Sequence, residues 1–180
     1  LLANDGRLAA LNQSSLDGGK IAYSSYRAFG DTQSAPATVA YLASRDEGGW
    51  ENHGISPPSG ASLLEPIRAI NNQFKAFSSD LCTSWLGEES GQALASGAIA
   101  GYTNLYRRQN CGATAGTYTS LTVPTVPPTR EPKYFIPEFQ GVSADGKAVV
   151  FRINDSLIPG MPDPGLNGRM VYEASGEVEL

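Results

Sequence analysis

At 180 residues and 41% hydrophobic content, the chain can bury the core of one ordinary domain. Its 13 Lys and Arg against 18 Asp and Glu leave a formal charge of −5 without any basic run, which speaks against nucleic acid and anionic membrane as partners. The longest apolar candidate, ALASGAIAGY, falls well short of the roughly 20 residues a membrane-spanning helix needs, so no membrane insertion is expected.

The chain opens at Leu1 without a Met or the basic and apolar regions of a signal peptide, so any export signal is expected to lie outside these residues. Twenty Gly, 12 Pro and only 17% charged residues describe a loop-rich, lysine-poor surface of the secreted β-protein kind. The expected location is extracellular or at the cell surface.

In chain order, the first stretch with structure is QSSLDGGKIAY, where Asp17 and two glycines break a run of strand formers. KIAYSS, VAYLASR, the turn DEGG and WENHGIS continue it. A short helix is conceivable near GASLLEPIRAINNQF, starting at Pro66. AFSSDLCTSWL then repeats the opening stretch with Asp80, and NLYRRQN follows a long loop. The Pro-rich stretch TVPTVPPTREPKYFIPEF reads as an extended connection. The last stretch gives EFQGVS, the turn ADGK, AVVFRI, a loop through Met161 to Gly168, RMVYEA, a Ser-Gly turn and EVEL.

Two markers share one period. Asp17, Asp80 and Asp145 are spaced by 63 and 65 residues, and Tyr41, Tyr106 and Tyr172 by 65 and 66. Three units follow, 9–56, 73–122 and 138–180, within a single assembly of 1–180. Each reads strand, tight turn, strand, long loop, strand, short turn, strand. Ala148 to Phe151 and Ile21 to Tyr23 are nearly continuous apolar runs, so the inner strands are expected to be buried on both faces. The fold class is all-β: three four-stranded antiparallel blades, a segment of a β-propeller.

SADGKAVVF resembles the SPDGKxIAF-type signature of WD40-like repeats in TolB-like propellers, and MVYEASGEVEL looks like the outer strands of the same repeat. The resemblance covers all three units and is strongest in the third. It extends to large exported actinobacterial proteins that carry such repeats with long loops and ISPP segments, as in HGISPPSG here. The signature proline is replaced by Leu16, Ser79 and Ala144, and Leu81 stands where the glycine belongs. Closed propellers use four or more blades, so the resemblance implies further blades from the same chain or another copy. Leu1, Leu2 and GRLAAL are a candidate extra strand.

Asp17, Asp80, Asp145 and Gly146 are expected to be structural, each Asp accepting its neighbours' backbone N–H groups in its own turn, with the turns held apart. Cys82 falls in the first turn of its unit and Cys111 in the last, and in a four-stranded meander those turns share one end. A disulfide is the favoured reading, worth roughly 3 to 4 kcal/mol by loop closure, and it favours an oxidising compartment. Two cysteines and one distant histidine make no four-ligand metal site, and no cofactor is expected.

His53 is the only histidine, and Ser56 and Ser143 only approximate a nucleophile, since neither GISPP nor GVSAD completes a G-x-S-x-G elbow. A half-exposed strand histidine is the simpler reading. Asp155 and Asp163 with loop carbonyls offer oxygen ligands for calcium, but the spacing matches no EF-hand and a Pro-fixed loop explains it more simply. Trp50, Trp85, Phe29, Phe77 and Phe151 are expected in the core.

The excess length falls in the loops between second and third strands and in the connections between units, at Tyr26 to Thr38, Gly87 to Thr103 and Asn154 to Asn167. Binding residues are therefore expected there, with Arg27, Tyr102, Asn104, Asp155 and Asp163 as candidates. The expected function is a non-catalytic extracellular module for recognising or scaffolding a protein or glycan. An accessory propeller of a larger peptidase-like hydrolase is the alternative, and no catalytic constellation is complete in these residues.

Overall fold

A computed structural model describes residues 11–25, 27–32, 39–58, 73–89 and 91–175. The strand expected from Leu1, Leu2 and GRLAAL, the helix at GASLLEPIRAINNQF and the last strand EVEL lie wholly or mostly outside these residues. The described chain is all-β. Its one helical segment is a 3₁₀ turn at Pro132–Tyr134, within the Pro-rich connection.

Sheet 1 runs in the order β1 (Asn12–Ser14), β2 (Lys20–Ser25), β3 (Val39–Asp46), β4 (Gly49–Gly54). Sheet 2 follows as β5 (Phe74–Phe77), β6 (Thr83–Glu88), β7 (Asn104–Gln109), β8 (Tyr118–Ser120). Sheet 3 holds β9 (Glu138–Val142), β10 (Ala148–Ile153) and β11 (Met170–Ser175), with β10 in the middle. Sequence neighbours pair throughout, as antiparallel meanders joined by tight turns do.

The chain divides into two compact units, Leu1–Leu86 with Arg108–Thr117, and Gly87–Arg107 with Tyr118–Leu180. In the first, β2 pairs with β3 from Lys20 opposite Ser44 to Ser25 opposite Val39, placing Tyr23 against Tyr41 with ring centroids 5.6 Å apart. Val39 to Ala43 are buried without interruption, so β3 has cover on both faces. Phe77, Leu81 and Trp85 are also buried there. The first turns of sheets 1 and 2 touch: Leu16 N donates to Ser79 O at 3.0 Å. This corrects the expectation that such turns are held apart.

In the second unit, Phe135, Phe151, Ile153 and Leu157 form the interior. The Pro-rich connection is fastened to it, with Thr125 N donating to Leu157 O at 2.8 Å. A β-bulge at Gln140 shifts the register between β9 and β10, and another at Lys75 does so between β5 and β6, five residues before the turn Asp in both sheets.

Two core expectations fail. β10 is not buried on both faces: Val149, Phe151 and Ile153 are buried, but Val150 and Arg152 between them are exposed, so the apolar run hides an alternating strand. β2 has only Ala22 fully buried. Trp85, Phe77 and Phe151 lie in the core, whereas Phe29 and Trp50 are exposed. Phe29 sits in a loop against Tyr41, and Trp50 points outward from β4, the outer strand of its sheet.

Candidate functional site

The two ends of the strands are built differently. At the first-turn end a serine two residues before each Asp completes a repeated set of bonds. Ser15 Oγ donates to Asp17 Oδ1 at 2.5 Å, Ser78 Oγ to Asp80 Oδ1 at 2.6 Å, and Ser143 Oγ to Asp145 Oδ1 at 2.5 Å. The same carboxylate oxygens accept Gly19 N, Cys82 N and Lys147 N at 2.9, 3.0 and 3.1 Å. Each serine hydroxyl in turn accepts an N–H at the start of the next strand, from Lys20, Thr83 and Ala148.

The serine hydroxyl and then the backbone N–H hold all three carboxyls below the ordinary aspartate value. Asp17, Asp80 and Asp145 are thus occupied acceptors. Gly18 and Gly146 adopt φ of 71° and 74° in these turns, and Leu81 takes the same left-handed conformation at φ 59°. Asn110 Nδ2 donates to Leu81 O at 3.0 Å, and Cys82 is bonded to Cys111, tying the first turn of sheet 2 to its last.

At the opposite end, the repeated tyrosine holds each long loop by its main chain. Tyr41 Oη accepts Phe29 N at 2.7 Å and donates to Phe29 O at 3.0 Å. Tyr106 Oη accepts Leu94 N and donates to Gln92 O, both at 3.2 Å. Tyr172 Oη accepts Leu157 N at 2.9 Å. Sequence reading found the tyrosines as period markers but missed this role. The signal was their position, on the strand that leaves each long loop.

In sheet 1 the loop also docks on β4. Asp31 Oδ1 accepts Gly54 N at 2.7 Å, and Asp31 Oδ2 lies 2.9 Å from His53 Nδ1. Glu51 Oε1 lies 3.5 Å from His53 Nε2. A Cβ on Gly54 would come within 2.8 Å of Thr32 Cα, so the close approach of the loop requires glycine. The Asp31 hydrogen bond is the main force raising the His53 pKa, ahead of the opposing desolvation. Desolvation pushes Asp31 up, but the Gly54 N–H and His53 outweigh it and hold the carboxyl low. His53 is about half exposed at the rim of the sheet, as the simpler reading expected. Arg27, Asp31, Glu51 and Asn52 are exposed around it.

The serines once considered as nucleophiles are engaged elsewhere. Ser56 Oγ accepts Ala40 N at 2.8 Å in the interior, and Ser143 belongs to its turn. Among the described residues no group of three His, Cys, Asp or Glu side chains is placed to hold a metal ion.

The loop candidates of the second unit divide. Tyr102 is half-buried, its hydroxyl donating to Arg130 O at 3.2 Å and its ring meeting Phe135 edge-on. Asn104 and Asp155 are fully buried, which removes them from any ligand-facing surface. Asn104 donates to Ile99 O and Tyr102 O and accepts Ile99 N. Asp155 accepts Thr129 N, Thr129 Oγ1, Arg130 N and Ser156 N, a saturated carboxylate that anchors the Pro-rich connection and leaves no ligand oxygen for calcium. Asp163 is exposed and pairs with Arg130.

The arrangement that remains accessible is the loop end of sheet 1, a polar rim of Arg27, Asp31, Glu51, Asn52 and His53 beside the exposed ring of Phe29. No protein-family model, curated protein or solved structure matches the chain.

Proposed function

We propose that this chain is a segment of a TolB-like β-propeller, each sheet being one blade, and that it serves outside the cell as a non-catalytic recognition module. Its ligand, a protein or a glycan, docks on the loop end of sheet 1. The observation that carries this reading is the threefold use of one strand tyrosine to pin the main chain of each long loop. Loops that differ in sequence but are held at the same point of a rigid scaffold suit recognition. Carboxylates, an amide, a guanidinium and an aromatic ring are the groups that bind polar ligands such as sugars and peptides. The disulfide and the low lysine content support an extracellular setting.

A screen of arrayed glycans and peptides tests this. The expected result is a ligand whose affinity falls about tenfold with Arg27→Ala or Asn52→Ala and is unchanged with Lys147→Ala at the far turn. Binding indifferent to both loop-end changes, or turnover of ester or peptide substrates, would overturn the reading.

A further inference from the structure

Because the sheets repeat, burial can be compared at equivalent places. The residue five after each turn Asp is Ala22, Trp85 or Val150, with 0%, 2% and 36% of its surface exposed. The residue before each loop-pinning tyrosine is Ala40, Leu105 or Val171, at 7%, 2% and 68%. In the β10–β11 register Val150 stands opposite Glu173 and Arg152 opposite Val171, so these four share one face of sheet 3. That face is closed in sheets 1 and 2 and open in sheet 3.

The reverse face shows the opposite gradient. Val149 and Phe151 of sheet 3 and Ser84 and Leu86 of sheet 2 are buried. Their counterparts in sheet 1, Ile21 and Tyr23, are only half-buried, and Trp50 on the same side is exposed. Sheet 1 therefore lacks cover on one side and sheet 3 on the other. Sheet 1, which has the turn of sheet 2 bonded beside it, closes its Ala22 face.

We infer that two copies of this chain associate head to tail, the Val150 and Val171 face of sheet 3 in one copy seating on the Tyr23 and Trp50 face of sheet 1 in the other. The two surfaces are the complementary halves of a contact type that the chain already makes once, and they differ from each other, so the contact is heterologous. Two valines meet two large aromatic rings, and Arg152 faces the aromatic side, where a guanidinium is favourably placed. The inference rests on the stacked-sheet half of the reading above and is independent of the ligand.

Sedimentation equilibrium from micromolar to submillimolar protein tests it. The expected result is a concentration-dependent dimer or larger multiple. Val171→Lys and Trp50→Lys, both at exposed positions, each weaken it by about tenfold or more while far-UV circular dichroism stays unchanged. An equimolar mixture of the two variants restores a dimer, since each retains the face the other lacks. A monomer at every concentration, association insensitive to both variants, or no rescue on mixing overturns the inference. A monomer that still binds a ligand at the loop end leaves the recognition reading intact.

Discussion

The first turns of sheets 2 and 3 make the same hydrogen bonds from different residues. In sheet 3, Gly146 supplies the left-handed position, and the turn is exposed and held by its own atoms. In sheet 2, Leu81 takes that conformation at a cost of about 1 to 2 kcal/mol and is almost fully buried, with Asn110 on its carbonyl and the disulfide on the next residue. Tertiary contacts compensate there for what glycine does locally elsewhere. A turn signature is therefore a statement about hydrogen bonds more than about glycine.

The comparison breaks most severely if the disulfide is removed. Cys82→Ser with Cys111→Ser, or reduction, is expected to cost about 3 to 4 kcal/mol and lower the melting temperature by about 10 °C. Equal melting curves with and without reductant would contradict this. Leu81→Gly relieves the backbone but gives up a buried leucine, so a net loss of about 1 to 3 kcal/mol is expected in urea unfolding. Gly146→Ala, where no burial compensates, should lose about 1 kcal/mol. A gain from Leu81→Gly would mean that the side chain contributes less than its strain.

Smaller effects sharpen the picture through pH. The three turn carboxyls are more acidic folded than unfolded, so their contribution is complete above the ordinary aspartate value of about 4 and is lost as pH falls through their lowered values. Asp80→Asn should flatten the acid limb of the stability profile. His53 behaves in the opposite sense. Its raised pKa gives stability that is full below about 6.5 and fades as pH rises through the folded value. Its proton resonance, the only imidazole signal of the chain, should titrate above 6.5 and move back toward it in Asp31→Asn.

Much of the architecture was legible because it repeats. Asp17, Asp80 and Asp145 located the first turns, β9, β10 and β11 fall within a residue or so of their expected bounds, and the Cys82–Cys111 bond followed from the turns in which each cysteine stands. The turn serines were passed over because attention went to charge, although Ser15, Ser78 and Ser143 keep the same two-residue offset. Burial was less readable. Composition could not tell that Val150 lies on a face with no cover, or that Phe29 stacks on Tyr41 from a loop, since both depend on what lies across a surface and not on the local run.

The site candidates show the same limit. Asn104 and Asp155 have the chemistry of ligand-binding residues and stand in long loops, yet their capacity is consumed in shaping those loops. Arg27 and Asp163 keep exposed polar groups. A one-dimensional reading cannot separate the two kinds, because a loop long enough to present a group is also long enough to need one inside it.

The tyrosine tethers carry a last implication. Tyr41, Tyr106 and Tyr172 grip peptide groups and ignore side chains, so they constrain where a segment passes and leave its amino acids free. Each tether works as a socket that accepts interchangeable inserts. Selection, or a protein engineer, could transplant foreign sequence into one such position and retain the framework, with specificity rewritten one cartridge at a time.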